Sequence, residues 1–390
     1  MKIGIRSKLA CLLVGVVALT ALAGAAASAA GTPVHQISGG RVILDFRPHH
    51  TQLQSQALAT SSTSVTRFTS SVNDGGSTFR YTMVGKNPFV ALATPSTTIK
   101  TFLIPVKIVL PNGHTFDPTV ATSCDPSTSP VTRTVQSPVV VNRAYSLGGT
   151  ALGTGQYTDI FRRAEFFSQT SPSGINPGYH VRLNVSTLPV QTVHVPSAAA
   201  AEFGTKTRCG ERTGAFEVNW WDNFVTSTLL PSLAGQGVSA TTFPIFLLHD
   251  VVSFDTTTSN CCILGYHSVS NTALGRQTYG VADYETSGRF LGVTDVSPLS
   301  HEVAEWLDDP FTNNPTKPWG NIGQVDGCQN NLEVRDPLSG TNVSVATSGH
   351  TYHPQELAFF SWFYHSSPSL GVNGLFSNNG TFTSSAPACP

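Results

Sequence analysis

The stretch Ser297-Pro298-Leu299-Ser300-His301-Glu302-Val303-Ala304-Glu305-Trp306-Leu307-Asp308-Asp309-Pro310 decides how this chain is read. Ser297 as N-cap and Pro298 at the first helical position predict a helix start there. At about 100° per residue, His301, Glu302, Glu305, Asp308 and Asp309 share one arc, while Val303, Ala304, Trp306 and Leu307 fall on the opposite one. One face is built to enter a core and the other is a row of side chains of the kinds that ligate cations. His301 and Glu305 stand four apart, one turn along the same side, so the two can grip one ion between them. Glu302 is offset to the rim of that face.

This is the HExxH arrangement of metallopeptidases with Glu in place of the second His. A polar helix face also arises without any ion, since acidic residues near a helix start are favoured by the dipole alone. A tetrahedral catalytic site needs three protein ligands and a water, so a third ligand is expected downstream. Glu333, in Asn331-Leu332-Glu333-Val334-Arg335-Asp336, is the first choice and Asp336 the second. His353 and His350 are rivals because imidazole is the commoner ligand type, and Asp309 is a further possible donor. His267 and His249 stand near strand ends and read as structural residues.

Working outward, Phe243-Pro244-Ile245-Phe246-Leu247-Leu248-His249-Asp250-Val251-Val252 reads as one buried strand, and Gln277 to Tyr284 as another ahead of the helix. Earlier, the runs Ile99 to Leu110 and Val139 to Val141 read as strands. Helical spacing predicts helices over Gln156 to Phe167 and Trp221 to Leu233. The aromatic run from Gln355 to Tyr364 reads as core. The expected fold is α+β: a mixed β-sheet with an active-site helix, preceded by a β-rich lobe. Expected boundaries are a leader over 1–30, a Ser/Thr/Gln-rich linker or disordered arm over 31–76, the β-rich lobe over 77–210 and a metal-site lobe over 211–390.

The leader rests on Lys2, Arg6 and Lys8, an apolar stretch from Leu9 to Leu22, and small residues at Ala27-Ser28-Ala29. An apolar run of about fourteen residues is short of the roughly twenty that span a bilayer, so cleavage and export are expected, with no membrane association afterwards. Cleavage lowers the Lys+Arg total from 22 to 19 against 23 Asp+Glu, moving the formal charge from −1 to −4. Nucleic acid is excluded as a partner class, because phosphate binding needs clustered cations. Cys124, Cys209, Cys261, Cys262, Cys328 and Cys389 remain after the leader, an even set that predicts three disulfides in an oxidising compartment. A bond between the neighbours Cys261 and Cys262 would be strained, so each is expected to pair elsewhere.

Between about residues 243 and 336 the chain resembles the plant phosphate-induced, EXORDIUM-like extracellular proteins and related secreted HExxE zincin-like proteins. The resemblance is carried by Cys262, Gly265-Tyr266-His267, His301, Glu302, Glu305, Asp309-Pro310, and Glu333 with Asp336; Arg335 stands where that family has Gly. It implies a shared metal-site architecture and leaves the reaction open.

The leading expectation is a secreted zincin-like metallopeptidase. His301, Glu305 and Glu333 would hold zinc or another divalent cation, and Glu302 would take a proton from the bound water of an attack on a peptide or protein. The strand Gln277 to Tyr284 would align the substrate, and Tyr352 or His353 would steady the oxyanion. Two carboxylates and one imidazole nearly neutralise the ion, which favours a non-catalytic extracellular or wall-associated protein with a structural cation as the alternative. A carbohydrate-active protein, suggested by the paired acids and Trp306, Trp319 and Trp362, ranks below both because Glu302 and Glu305 share one helix.

Overall fold

The strand Thr97–Val109 runs through the middle of the fold and organises it. In the computed structural model, which describes residues 32, 34–39, 64–207, 209–272, 275–323, 325 and 327–389, this strand pairs in parallel with Phe243–His249. Phe243–His249 pairs in parallel with Gly275–Tyr284 in turn, and Gly265–Thr272 closes that side as an antiparallel outer strand. On the other side, Val181–Thr187 and Gln191–His194 pair in succession with the first and last parts of Thr97–Val109. Every residue of Phe243–His249 is buried, as expected of a strand with parallel neighbours on both edges and elements packed on both faces. The α+β class is therefore observed, with a mixed sheet.

The apolar run expected as one strand to Val252 is two. Asp250 adopts a left-handed φ of 49°, which turns the chain out of the first sheet. Val251–Phe254 then joins a second sheet between Gly214–Glu217 and Cys261–Ile263. Val139 is buried but lies in a turn after the short helix Pro130–Gln136, so no strand forms at Val139 to Val141. The expected split at residue 210 does not hold either: Thr32–Pro390 is one unit, because Thr97–Val109 from the supposed first lobe shares a sheet with strands from the second. Strands also occupy part of the expected arm, at His35–Ile37 and Arg67–Asp74. The leader lies outside the described residues, among which no helix is long and apolar enough to cross a membrane.

Helical layers cover both faces of the central sheet. One face packs Ile104, Val106, Phe246 and Leu248 against Trp221, Val225 and Leu233 of the helical stretch that begins at Val218. The opposite face packs Leu103, Ile245 and Leu247 against Val303, Trp306 and Leu307 of the helix Ser297–Asp308. Trp306 lies flat on Phe243, with ring centroids 3.6 Å apart and planes within 6°. This apolar stripe holds the helix against the sheet; truncating a buried Trp of this kind costs about 3–5 kcal/mol. The helix starts one residue earlier than expected, with Val296 at the N-cap, Ser297 and Pro298 in the first turn and no side-chain cap.

The third side of the helix meets a separate core, where Ala304 packs with Leu332, Val334, Leu357 and Phe359. A fully buried ion network joins that region to the helix Tyr157–Glu165: Arg162 bonds Glu165 at 2.9 Å and also reaches Asp308. Asp308, expected on the ligand face, is thus a structural anion. Among the described residues three disulfides form: Cys124–Cys209, Cys328–Cys389 and Cys261–Cys262. The last corrects the expectation that those two neighbours pair elsewhere; a cis peptide between them brings their Cα atoms to 3.0 Å.

Candidate metal centre

The helix presents His301, Glu302 and Glu305 away from the sheet core, as its periodicity requires. His301 Nε2 lies 3.0 Å from Glu305 Oε2, the i,i+4 contact, and 3.4 Å from Asp336 Oδ1. At tetrahedral angles, ligand atoms with bonds of about 2.0–2.1 Å sit roughly 3.3 Å apart, so these three donors suit one zinc-sized ion. The second carboxylate is Asp336, the second choice from the sequence. Glu333 is also buried, but its Oε1 accepts from Asn331 Nδ2 at 2.6 Å, and it is not among the groups brought within reach of one ion with His301.

Outer contacts orient each donor. Gln355 donates through Nε2 to the carbonyl of Arg335 at 2.8 Å, which turns its Oε1 toward His301 Nδ1 at 3.3 Å. That oxygen can only accept, so Nδ1 carries the imidazole proton and Nε2 is left facing Glu305 and Asp336. The backbone N–H of Arg335 donates to Glu305 Oε1 at 3.2 Å. Arg335 itself is fully buried and gives Nη1 to Ser300 Oγ at 2.8 Å. Arg335 thus places a guanidinium against the back of the helix.

Glu302 points to the other side, into a notch against the outer strand. Gly265 makes that notch: a Cβ there would stand 2.8 Å from Glu302 Oε1 and 2.9 Å from both Glu302 Cγ and the carbonyl of Val281. Two residues along the same strand, His267 donates from Nε2 to the carbonyl of Asp309 at 2.9 Å. Its Nδ1 therefore faces Glu302 Oε2 at 3.5 Å and Glu305 Oε2 at 3.9 Å.

Burial dominates the electrostatics. It pushes the Glu302 carboxyl up to about 7, with Asp336 adding to the rise and His301 and Arg335 opposing it. Glu305 is driven well above the carboxylate range by burial, then by Asp336 and Glu302. Burial also pulls the Arg335 guanidinium down to about 9, against the neighbouring anions. Glu302 Oε2 and Asp336 Oδ2 accept no hydrogen bond among the described residues. Buried oxygens without donors, beside imidazole nitrogens turned toward them, are a donor set that fits a divalent cation. Access is from the His301 side, whose side chain keeps 14% of its surface exposed against 5% for Glu305 and 2% for Asp336.

The other candidates fall elsewhere. His353 pairs through Nδ1 with Asp295 at 2.7 Å. Asp309 accepts from the backbone N–H groups of Asn313 and Asn314 at 2.9 and 2.7 Å, closing the turn after the helix. Tyr352 is buried in the sheet-facing core, and His350 packs edge-on against it. Trp306, Trp319 and Trp362 are all buried, so none can stack on a sugar. Gly275–Tyr284 is paired on both edges, which removes it as a substrate-aligning strand; the outer position belongs to Gly265–Thr272. A separate buried group, Asp250, Asp283 and Glu285, lies where the two sheets part, with Asp250 holding Thr286 through both oxygens.

Sequence reasoning missed His267, Gln355, Arg335 and Gly265 as parts of the site. The sequence reads His267 as a structural residue near a strand end and brings in Gly265 and Arg335 only through the resemblance, and nothing local to Gln355 signals a role. Compared with family models, with curated proteins and with solved structures, the chain matches none.

Proposed function

We propose that the chain is a secreted metal-dependent hydrolase of zincin-like architecture, most simply a zinc metallopeptidase acting on peptides or proteins. The observation that carries this reading is His301 Nε2 bracketed by Glu305 and Asp336 at 3.0 and 3.4 Å, with the Glu302 carboxyl one residue along the helix. In this reading Asp336 takes the third-ligand role first expected of Glu333. A bound cation would lower the pKa of its water and polarise the scissile carbonyl. The chain supplies the rest. Gln355 keeps the His301 proton on Nδ1, and the Arg335 N–H steadies Glu305. Glu302, held near neutrality by burial, accepts the proton of the attacking water and returns it to the leaving amine. The outer strand Gly265–Thr272 offers the backbone edge on which an extended peptide can add. Three disulfides fit an oxidising, extracellular setting.

A structural cation is the second reading, favoured by the depth of Glu305 and Asp336 and by the single imidazole in the set. Glu302→Gln separates the two: peptide cleavage falls by at least a hundredfold with an ion still bound by His301, Glu305 and Asp336 if the enzyme reading holds. No cleavage by the wild-type protein at any zinc loading, with the metal still stoichiometric, leaves the structural reading. The ligand assignment is checked by Asp336→Asn, expected to weaken zinc binding at least a hundredfold, against Glu333→Gln, expected to leave it within a few fold. The reverse order would reinstate Glu333.

A further inference from the structure

We propose that this site takes a second divalent cation beside the first, held by His267, Glu302 and Glu305, with Glu305 as a ligand shared between the two ions. The proposal rests on the metal-site reading above for its first ion only. Two triads of donors, each within one ion's reach, meet at a common atom: His301, Glu305 and Asp336 on one side, His267, Glu302 and Glu305 on the other, with Glu305 Oε2 in both sets of contacts.

The second triad is as deliberately oriented as the first. A backbone carbonyl accepts from the far nitrogen of His267 at 2.9 Å, the arrangement that turns the other ring nitrogen into a ligand. Its Nδ1 stands 3.5 and 3.9 Å from two carboxylate oxygens. Both separations are too long for direct hydrogen bonds; 3.5 Å lies near the roughly 3.3 Å donor spacing around one tetrahedral ion, and 3.9 Å requires a wider angle. Glu302 Oε2, 4% exposed as a residue, accepts no hydrogen bond among the described residues. An ion between His301, Glu305 and Asp336 leaves that oxygen unmet; an ion beside His267 does not.

Charge sets the order of filling. Glu302, Glu305 and Asp336 against Arg335 leave two negative charges, which the first divalent ion cancels. The second then enters a site already neutral, so it binds more weakly. It also occupies the carboxylate that the one-ion reaction uses as its base. Loading the second position therefore switches hydrolysis off, and the site responds to metal concentration in two phases.

The test uses the full secreted chain, stripped with a chelator and titrated with Zn2+ by calorimetry, with bound ions counted by mass spectrometry after desalting. Two binding events are expected, the second at least tenfold weaker, and His267→Gln should abolish the second while leaving the first within a few fold. One ion per wild-type chain, or two ions per His267→Gln chain, overturns the proposal and leaves the first site standing. No stoichiometric ion at all overturns the metal-site reading as well. Should His267→Gln fail to fold, Mn2+-loaded wild type decides: two ions sharing a carboxylate give an exchange-coupled paramagnetic resonance spectrum, and a spectrum of isolated Mn2+ at full loading overturns the proposal.

Discussion

Replacing Gly265 by Ala tests the geometry of the site at one atom. The backbone there is ordinary strand, without the positive φ that would forbid a side chain, and a Gly to Ala change at a compatible position stabilises by about 0.4–1 kcal/mol through the unfolded chain. The added Cβ meets Glu302 Oε1 at 2.8 Å and Glu302 Cγ and the Val281 carbonyl at 2.9 Å. Each contact is about half an ångström too close. The Val281 carbonyl belongs to the neighbouring strand, whose Ala282 is paired with Gly265, so it cannot withdraw without disturbing the sheet. Overpacking of this kind costs about 1–3 kcal/mol. The net effect is a loss of roughly 0.5–2 kcal/mol, and with an unfolding entropy near 0.7 kcal/mol/K for a chain of this length the melting temperature falls by about 1–3 °C. Glu302 must retreat as well, and if it serves as the proposed base, displacing it by a fraction of an ångström costs on the order of tenfold in rate. Scanning fluorimetry and kcat/KM on a quenched peptide would be measured together with zinc affinity. A Gly265→Ala protein that melts at or above the wild-type temperature and cleaves at the wild-type rate refutes the packing of Glu302 into this notch.

Three further outcomes follow from the same contacts. Asp308→Ala should destabilise the protein by about 3–5 kcal/mol in urea titrations, because Arg162 is left fully buried with Glu165 as its remaining ion-pair partner; a loss under about 1 kcal/mol would show the network to be dispensable. Cys124→Ser and Cys328→Ser each open a long loop, with sequence separations of 85 and 61, and should cost up to about 4–5 kcal/mol by loop entropy, whereas replacing both Cys261 and Cys262 removes no such loop; equal losses from all three would contradict this. Arg133 hydrogen-bonds the Asp125 carboxylate through Nε and Nη2 and holds it down to about 2, below its unfolded value of about 3.9. That contribution is present above pH 4 and disappears as pH falls through about 2, so Asp125→Asn should be less stable than wild type at pH 5 and approach it by pH 2.5; a gap that stays constant with pH would assign the loss to something other than this charge.

His301, Glu302 and Glu305 were legible as a group from spacing alone, because a helix turns neighbours in space into neighbours at three and four residues. The apolar stripe of Val303, Trp306 and Leu307 was legible for the same reason, and so was the α+β class from the alternation of buried runs and helical periods. Short-range rules also failed in identifiable places. Phe243 to Val252 has no sequence signal at Asp250 strong enough to divide it, and the left-handed turn there is imposed by the demand of two different sheets. Val139 to Val141 carries strand propensity, yet its residues fill a turn that closes over the core, a case of burial overriding local preference.

The choice between Glu333 and Asp336 shows where reading a sequence stops. Both are acids in the same irregular segment, and a loop has no period by which to tell which of two carboxylates three residues apart comes beside His301. The fold puts Asp336 Oδ1 3.4 Å from His301 Nε2, while Glu333 accepts from Asn331 at 2.6 Å. His267 and Gln355 likewise reach the helix from an outer strand and a C-terminal loop, over separations at which only the packed sheet fixes position. What the sequence determined by itself was one turn of helix with His301, Glu302 and Glu305 on one side and an even set of six cysteines beyond residue 30. Which side chains stand beside that turn was decided by tertiary contacts, because they arrive from distant segments in three dimensions and helical spacing specifies only one of them.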